Sequence, residues 1–258
     1  MSRRLKPAIA ATIVALSVLF VHQAAGQTRE IRVLASNGVK SVIEALLPQC
    51  EQATGRHLAI QFNSSVALKQ RIDAGEGFDV AIVTTELLDT LIKEGRVQAA
   101  SRAGVARAGV GVGVRAGAPK PDISTPDAMK RTLLNAKAIT YAQDGASREP
   151  INRMFERFGI ADAMRAKTIL EQGSIRSTGR VAQGDADLVM TLVSEILPIQ
   201  GIELVGPLPD AVQSYVSFAT GISPTASDPA AAQKLIGFLT GSGVAPTFKA
   251  KGLQVGER

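Results

Sequence analysis

Between Glu30 and Gly55 the apolar positions change period. Ile31, Val33 and Ala35 alternate with charged or bulky neighbours, the period-2 pattern of a strand. From Val39 onward, Val39, Val42, Ile43, Leu46 and Leu47 recur at helical spacing. Ser36-Asn37-Gly38 separates the two patterns with turn chemistry, and Gly55 is placed to close the helix as its C-cap. The first four backbone N–H groups of such a helix have no internal partner and carry the positive end of the helix dipole. A turn of small residues in front of them lets an anion come close.

The same alternation continues. Leu58 to Phe62 reads as a strand, ended by Asn63-Ser64-Ser65, with a helix through Ala67, Leu68, Arg71 and Ile72. Gly75-Glu76-Gly77 breaks the chain, and Val80 to Val83 is a continuous apolar run, as expected for a strand covered on both faces. Thr84 or Thr85 can cap the next helix, which runs to about Glu94. This β-α-β-α-β-α order predicts a parallel sheet with right-handed crossovers. Val105 to Arg115 then alternates small and apolar residues with glycine and reads as one long extended crossing.

A second series follows. Thr125 caps a helix to about Asn135, Ala138 to Tyr141 is a strand, Asp144-Gly145-Ala146-Ser147 a turn, and Glu149 to Phe158 a helix. Lys167 to Glu171 is a strand, Ser177 or Thr178 starts a helix to about Gln183, and Leu188 to Leu192 is a strand. Glu203 to Gly206 reads as an edge strand and Tyr215 to Ile222 as a return crossing. Helices over Pro229–Leu239 and Val244–Lys251 close the chain. The expected fold is α/β with two lobes, each a mostly parallel sheet flanked by helices, joined by two extended crossings. Lobe one would span residues 27–106 and 216–258, and lobe two residues 107–215.

Residues 1–26 read as a cleavable signal peptide: Arg3, Arg4 and Lys6 precede an apolar core from Ala8 to Val21, and Ala24-Ala25-Gly26 offers small residues before a cut at Gln27. The expected location is therefore the periplasm. Loss of those three basic residues takes the formal charge from +6 to +3. With two Tyr, eight Phe and no Trp in the whole chain, nothing suggests a stacking surface for nucleic acid. The single Cys50 excludes an internal disulfide and sits on a helical pattern as a small buried hydrophobe. Once the leader is gone His57 is the only histidine, no G-x-S-x-G occurs, and no His/Cys cluster offers a transition-metal site. The residues therefore favour a binding protein over an enzyme, with no cofactor and no metal.

Asn63-Ser64-Ser65 is the strongest local signal, because two hydroxyls beside free N–H groups make a neutral nest for anions or carboxylates. Arg148 opens a helix, where a cation opposes the dipole and a bound anion would relieve the conflict. Arg176 is a further candidate contact, and Asp79 reads as a cap or a structural pair.

The succession VLASNGVKSVIEAL, FNSSVALKQRIDAGEGFDVAIVT, YAQDGAS and VAQGDADLVMTLVSEIL resembles the periplasmic molybdate-binding proteins. More broadly it resembles the type II solute-binding proteins of ABC importers, over nearly all of Glu30 to Gly252. The resemblance implies a monomer that traps a small anion between two lobes and docks transiently on a membrane permease. It places ligand contacts at Ser36, Asn37 and Gly38, at Asn63, Ser64 and Ser65, and at Gly145, Ala146 and Ser147. The tyrosine that completes the molybdate pattern falls near Leu192, which has no hydroxyl. Arg148, Arg176, Ser177, Thr178, Ser194 and Glu195 are the second-lobe residues available to replace it. The planar fork of Arg148 would suit a small carboxylate, so the ligand expected is a molybdate-like oxyanion or a small organic acid, with the organic acid favoured. A periplasmic sensor or adaptor, and an enzyme on the same fold, are the rival classes.

Overall fold

The computed structural model describes residues 30–255; the expected signal peptide lies outside them. In chain order the elements are β1 (Ile31–Ser36), α1 (Lys40–Thr54), β2 (Leu58–Asn63), α2 (Ser65–Asp73), β3 (Val80–Thr84), α3 (Thr85–Lys93) and β4 (Ala103–Arg115). Then come α4 (Pro126–Asn135), β5 (Ile139–Ala142), α5 (Arg148–Arg157), α6 (Ala161–Lys167), β6 (Thr168–Glu171), α7 (Gly173–Gln183), β7 (Leu188–Leu192), α8 (Val193–Ile196) and β8 (Ile202–Pro207). The chain finishes with β9 (Tyr215–Ile222), α9 (Pro229–Leu239), α10 (Ala245–Ala250) and β10 (Leu253–Val255).

The strands pair in the order β2-β1-β3-β9-β4-β7-β5-β6, with β8 and β10 also on β4. The pairs β1–β2, β1–β3, β5–β6 and β5–β7 are parallel, as the βα alternation requires. Every pairing of β4 and β9 is antiparallel. The two extended segments are thus not bare connectors. They are sheet members, and β4 carries the pairing from one strand group to the other. Its residues from Ala103 to Gly109 face β9, and those from Val110 to Gly113 face β7.

The glycines of β4 have a steric cause. A Cβ on Gly111 would lie 2.8 Å from Val193 Cγ2 and 3.1 Å from the Gly206 carbonyl oxygen. The strand is buried there, and only glycine admits the neighbours at that distance. Gln213 holds the hand-over point: its side-chain amide accepts from Val110 N–H at 3.0 Å and donates to the Val110 carbonyl at 3.1 Å. It also donates to the Leu208 carbonyl at 3.3 Å.

Helices cover the parallel strands. On α1 the predicted stripe is buried at Val42, Ile43, Leu46 and Cys50, each large apolar side chain contributing about 1.5–3 kcal/mol by leaving water. Gly55 ends α1 in the left-handed region at φ 65°. Asp79, on the approach to β3, is fully buried. It accepts from Arg32 N–H at 2.8 Å, from the Arg32 guanidinium at 3.3 Å and from Ser227 N–H at 2.6 Å. Burial pushes its carboxyl up, but those donors together pull harder and leave it below the usual carboxylate range.

The structure corrects several local expectations. Thr84 stands at the N-cap of α3 without a side-chain cap bond; its N–H donates to Ser65 Oγ at 3.1 Å, which ties this helix start to α2 instead. Helix α7 begins at Gly173, not at Ser177 or Thr178. Those two hydroxyls bond back to the Gly173 and Ser174 carbonyls inside the helix, a use of Ser and Thr that imitates a cap in sequence. The short elements α6, α8 and β10 were not expected.

Candidate functional site

The carboxyl ends of the parallel strands gather six loops, the usual position for ligands on open α/β sheets. Register sets them side by side. Ser36 pairs with Asn63 across β1 and β2, and Ala142 pairs with Glu171 across β5 and β6.

In the first strand group, Ser36 is buried and its hydroxyl accepts from Gly38 N–H at 3.4 Å. Asn63 Oδ1 accepts from Ser64 N–H at 2.8 Å, and Ser64 Oγ caps α2 by accepting from Ala67 N–H at 3.2 Å. Ser65 Oγ accepts from Thr84 N–H, tying the end of β3 to α2. The Asn63-Ser64-Ser65 turn thus forms as a helix cap and a strand-to-helix tie, and both hydroxyls are engaged as acceptors. An accepting hydroxyl keeps its own proton to donate.

In the second group, Asp144 Oδ1 accepts from Gly173 N–H at 2.8 Å and binds the loop after β5 to the start of α7. Gly145 N–H turns back to the Ala142 carbonyl. Ala146 is half-buried, and Ser147 is buried with a hydroxyl that lacks a hydrogen-bond partner. Arg148 does not reach toward the first strand group. It donates to the Gln143 carbonyl at 2.8 Å and lines a separate hollow of about 270 Å³ with Tyr141 and Asn152, beside β6. Arg176 is exposed on α7.

The two groups meet where α8 abuts the start of α1. Ser194 Oγ donates to the Gly38 carbonyl at 2.7 Å, and Ser41 Oγ donates to the Ser194 carbonyl at 3.4 Å. Gly38 is glycine for contact reasons: a Cβ there would lie 2.3 Å from Phe218 Cζ and 3.0 Å from Leu192 Cδ1. Leu192 is spent on this packing.

Next to this seam lies a crevice of about 200 Å³, with Asn37, Lys40 and Ser41 on one wall and Ser174, Ser194 and Glu195 on the other. Of the residues expected in the site, it brings together Asn37, Ser194 and Glu195; Ser64, Ser65, Arg148 and Arg176 are not on its walls. Asn37 makes no side-chain hydrogen bond among the described residues, so its amide faces the crevice uncommitted. Lys40 lies 3.7 Å from Glu44 and 5.6 Å from the centre of the Phe62 ring. Lys40, Ser41 and Ser174 escaped the sequence reading. Ser174 was hidden by the misplaced start of α7.

Glu195 is the chemically distinctive member. Its Oε1 accepts from Ser174 Oγ at 3.0 Å, and its Oε2 accepts from Thr191 Oγ1. Burial pushes its carboxyl above the usual range. The hydroxyls of Thr191 and Ser174 and the Leu192 N–H pull it down by less, and the Asp144 charge adds to the rise. Among the described residues no group of three His, Cys, Asp or Glu side chains is placed to hold a metal ion. No helix among them is long and apolar enough to cross a membrane.

Residues 31–254 match the family of bacterial extracellular solute-binding proteins. The chain belongs to that family. Among solved structures it is similar to the periplasmic molybdate-binding protein of Azotobacter vinelandii, with TM-score 0.75, 18% identity, and 88% of this chain and all of that one covered. It is also similar to the sulfate-binding protein of Mycobacterium tuberculosis, with TM-score 0.68, 16% identity and coverage of 88% and 86%. At those identities the likeness establishes the fold, the two-lobed α/β architecture of type II periplasmic binding proteins. A nearer relative in sequence is an aconitate isomerase from a Pseudomonas species, 31% identical over 238 residues that make up 90% of each chain. The expectation of a purely non-catalytic protein thus meets a relative named as an enzyme.

Proposed function

We propose that this chain is an exported solute-binding protein whose ligand is a small polycarboxylate of the aconitate class. Two lobes, residues 27–106 with 216–258 and residues 107–215, would close on the ligand about the crossings near Val110 and Val216. Closure is driven by the ligand's higher affinity for the closed state. The loaded monomer then docks on a membrane permease. The observation that carries the ligand class is the relative named for aconitate, alike over nine-tenths of both chains. The site chemistry agrees. Leu192 supplies no hydroxyl to an oxyanion, while Lys40 and the uncommitted Asn37 amide suit carboxylates. Arg148, the residue first expected to recognise a carboxylate, has no part in this reading.

A second reading is favoured by Glu195: the chain also turns its ligand over, as the relative's name says of that protein. A partly buried carboxyl with a raised pKa on the wall of a ligand crevice is the kind of group acid–base catalysis uses.

Isothermal titration of residues 27–258 against cis- and trans-aconitate, citrate, molybdate, tungstate and sulfate tests the first reading. Micromolar or tighter binding of a tricarboxylate, without heat from molybdate, is expected. Submicromolar molybdate binding with no carboxylate response overturns it. Nuclear magnetic resonance of cis-aconitate incubated with the protein tests the second: growth of the trans isomer supports it, and an unchanged spectrum removes it.

A further inference from the structure

Glu195 has features that a structural carboxylate in a ligand-binding protein does not need. It lies on the crevice wall opposite Asn37 and Lys40. Each of its oxygens holds one hydroxyl, Ser174 from the first turn of α7 and Thr191 from the end of β7. It has no cationic partner among the described residues, although carboxylates elsewhere are paired with arginine, as Asp79 is with Arg32 and Glu171 with Arg180. The two hydroxyls and the Leu192 N–H, all neutral donors, fix the carboxylate's direction and leave acceptor capacity, since an ionised carboxylate has about four acceptor sites. The group is oriented without being neutralised.

Resting on the reading that the chain turns over aconitate, we infer that Glu195 is the catalytic residue that carries the proton. Aconitate has a methylene and a vinylic carbon flanking one central carbon. Glu195 takes a proton from the methylene, and the C–H electron pair spreads over the three-carbon unit and into the attached carboxylates. Glu195 then returns the proton to the former vinylic carbon. The double bond has moved by one carbon, its new geometry can be cis or trans, and Glu195 is again ionised. Nothing is oxidised or reduced, and no co-reactant is consumed. Lys40 and the Asn37 amide face the crevice from α1 and its leading turn, where they can hold the carboxylates on which the charge collects. Ser174 and Thr191 act as positioning residues.

The charged groups around Glu195 are Asp144 from the loop after β5, and Lys40 and Glu44 from α1. The base form grows with pH, so turnover rises with pH along a limb set by Glu195. Removing the Thr191 hydroxyl takes a donor from the charged form and moves that limb to higher pH.

The experiment follows incorporation of deuterium from D2O into aconitate, with cis–trans conversion, for wild type, Glu195→Gln and Thr191→Val. Aconitate titration runs in parallel. Glu195→Gln is expected to bind aconitate and to lose about 10²–10⁴-fold in exchange, the usual worth of a positioned acid–base group. Thr191→Val is expected to keep exchange with its acid limb displaced upward. If wild type exchanges and Glu195→Gln stays within threefold of it, the inference is overturned while the isomerase reading stands. If wild type binds aconitate without exchanging it, both fall and the binding protein remains. If aconitate does not bind, the proposed ligand falls with them. Should Glu195→Gln not fold, the Thr191→Val profile decides, and an unmoved limb overturns the inference.

Discussion

Replacing Asp79 should cost more than any other single polar substitution in the first strand group. The carboxylate ties three separated parts of the chain, the start of β1 through Arg32, the approach to β3, and the segment leading into α9 through Ser227. Asp79→Ala leaves two buried backbone N–H groups without an acceptor, while the Arg32 guanidinium, 45% exposed, turns to water. Each unsatisfied buried donor costs about 1–3 kcal/mol, together about 2–6 kcal/mol and a large part of a total stability of about 5–15 kcal/mol. At about 2–4 °C per kcal/mol for a domain of this size, the melting temperature should fall by roughly 4–24 °C. Asp79→Asn keeps the volume but turns one acceptor into a donor facing an N–H group, so it should lose at least half as much. The pH dependence separates charge from packing. The folded carboxyl lies below its ordinary value, so the unfolded chain binds its proton first and this contribution is complete above about pH 4, the ordinary Asp range. It disappears as pH falls through the folded value. Urea unfolding of wild type and Asp79→Asn between pH 7 and pH 3 should show the gap between them close at the acid end. A loss under 1 kcal/mol at pH 7 with an unchanged urea slope, or a gap that widens in acid, refutes the reasoning.

Gln213→Leu removes three amide hydrogen bonds around Val110 and Leu208. It should lower stability by about 2–3 kcal/mol at roughly 1 kcal/mol per bond, read by urea unfolding. Ser64→Ala with Ser65→Ala removes the α2 cap and the Thr84 N–H acceptor, at a stability cost of about 1–2 kcal/mol. If the two hydroxyls also donate to the ligand, titration should show its affinity fall about tenfold or more; unchanged affinity makes them caps alone. The Cys50 thiol is pushed up to about 12 by burial and by Glu51, so a thiol reagent at pH 8 should label it only on addition of denaturant.

The order of elements was legible because periodicity reports burial directly. The apolar runs at Val80–Val83 and Leu188–Leu192 became fully buried strands, and the glycine-spaced run became β4. What failed had local imitators. Ser177 and Thr178 look like caps, yet their hydroxyls are satisfied within a helix that begins at Gly173 without any side-chain cap. Helix α6 is only seven residues long and has Met164 as its buried residue, too little apolar face to show a period. Of the candidate site, loop chemistry located the Asn63-Ser64-Ser65 turn at the end of β2, but the seam between Ser194 and Gly38 joins residues 156 positions apart, and local pattern carries no information about such a contact. The direction of Arg148 depends on whether the Gln143 carbonyl is free to accept it. Glu195 stood among six second-lobe candidates, and nothing in its local sequence singled it out before the hydroxyls of Ser174 and Thr191 closed on it.

Strand β4 also sets a timetable for synthesis. The first sheet cannot close when its early strands have emerged, because β9 inserts between β3 and β4 and is made last but one of the strands. At about 5–20 residues per second, the ribosome needs several seconds after Arg115 to deliver Ile222. Throughout that interval β3 and β4 each present an unfilled edge. The chain therefore stays short of a finished core until nearly all of it exists. A circular permutant that supplies β9 before β3 should acquire its native sheet earlier on the ribosome.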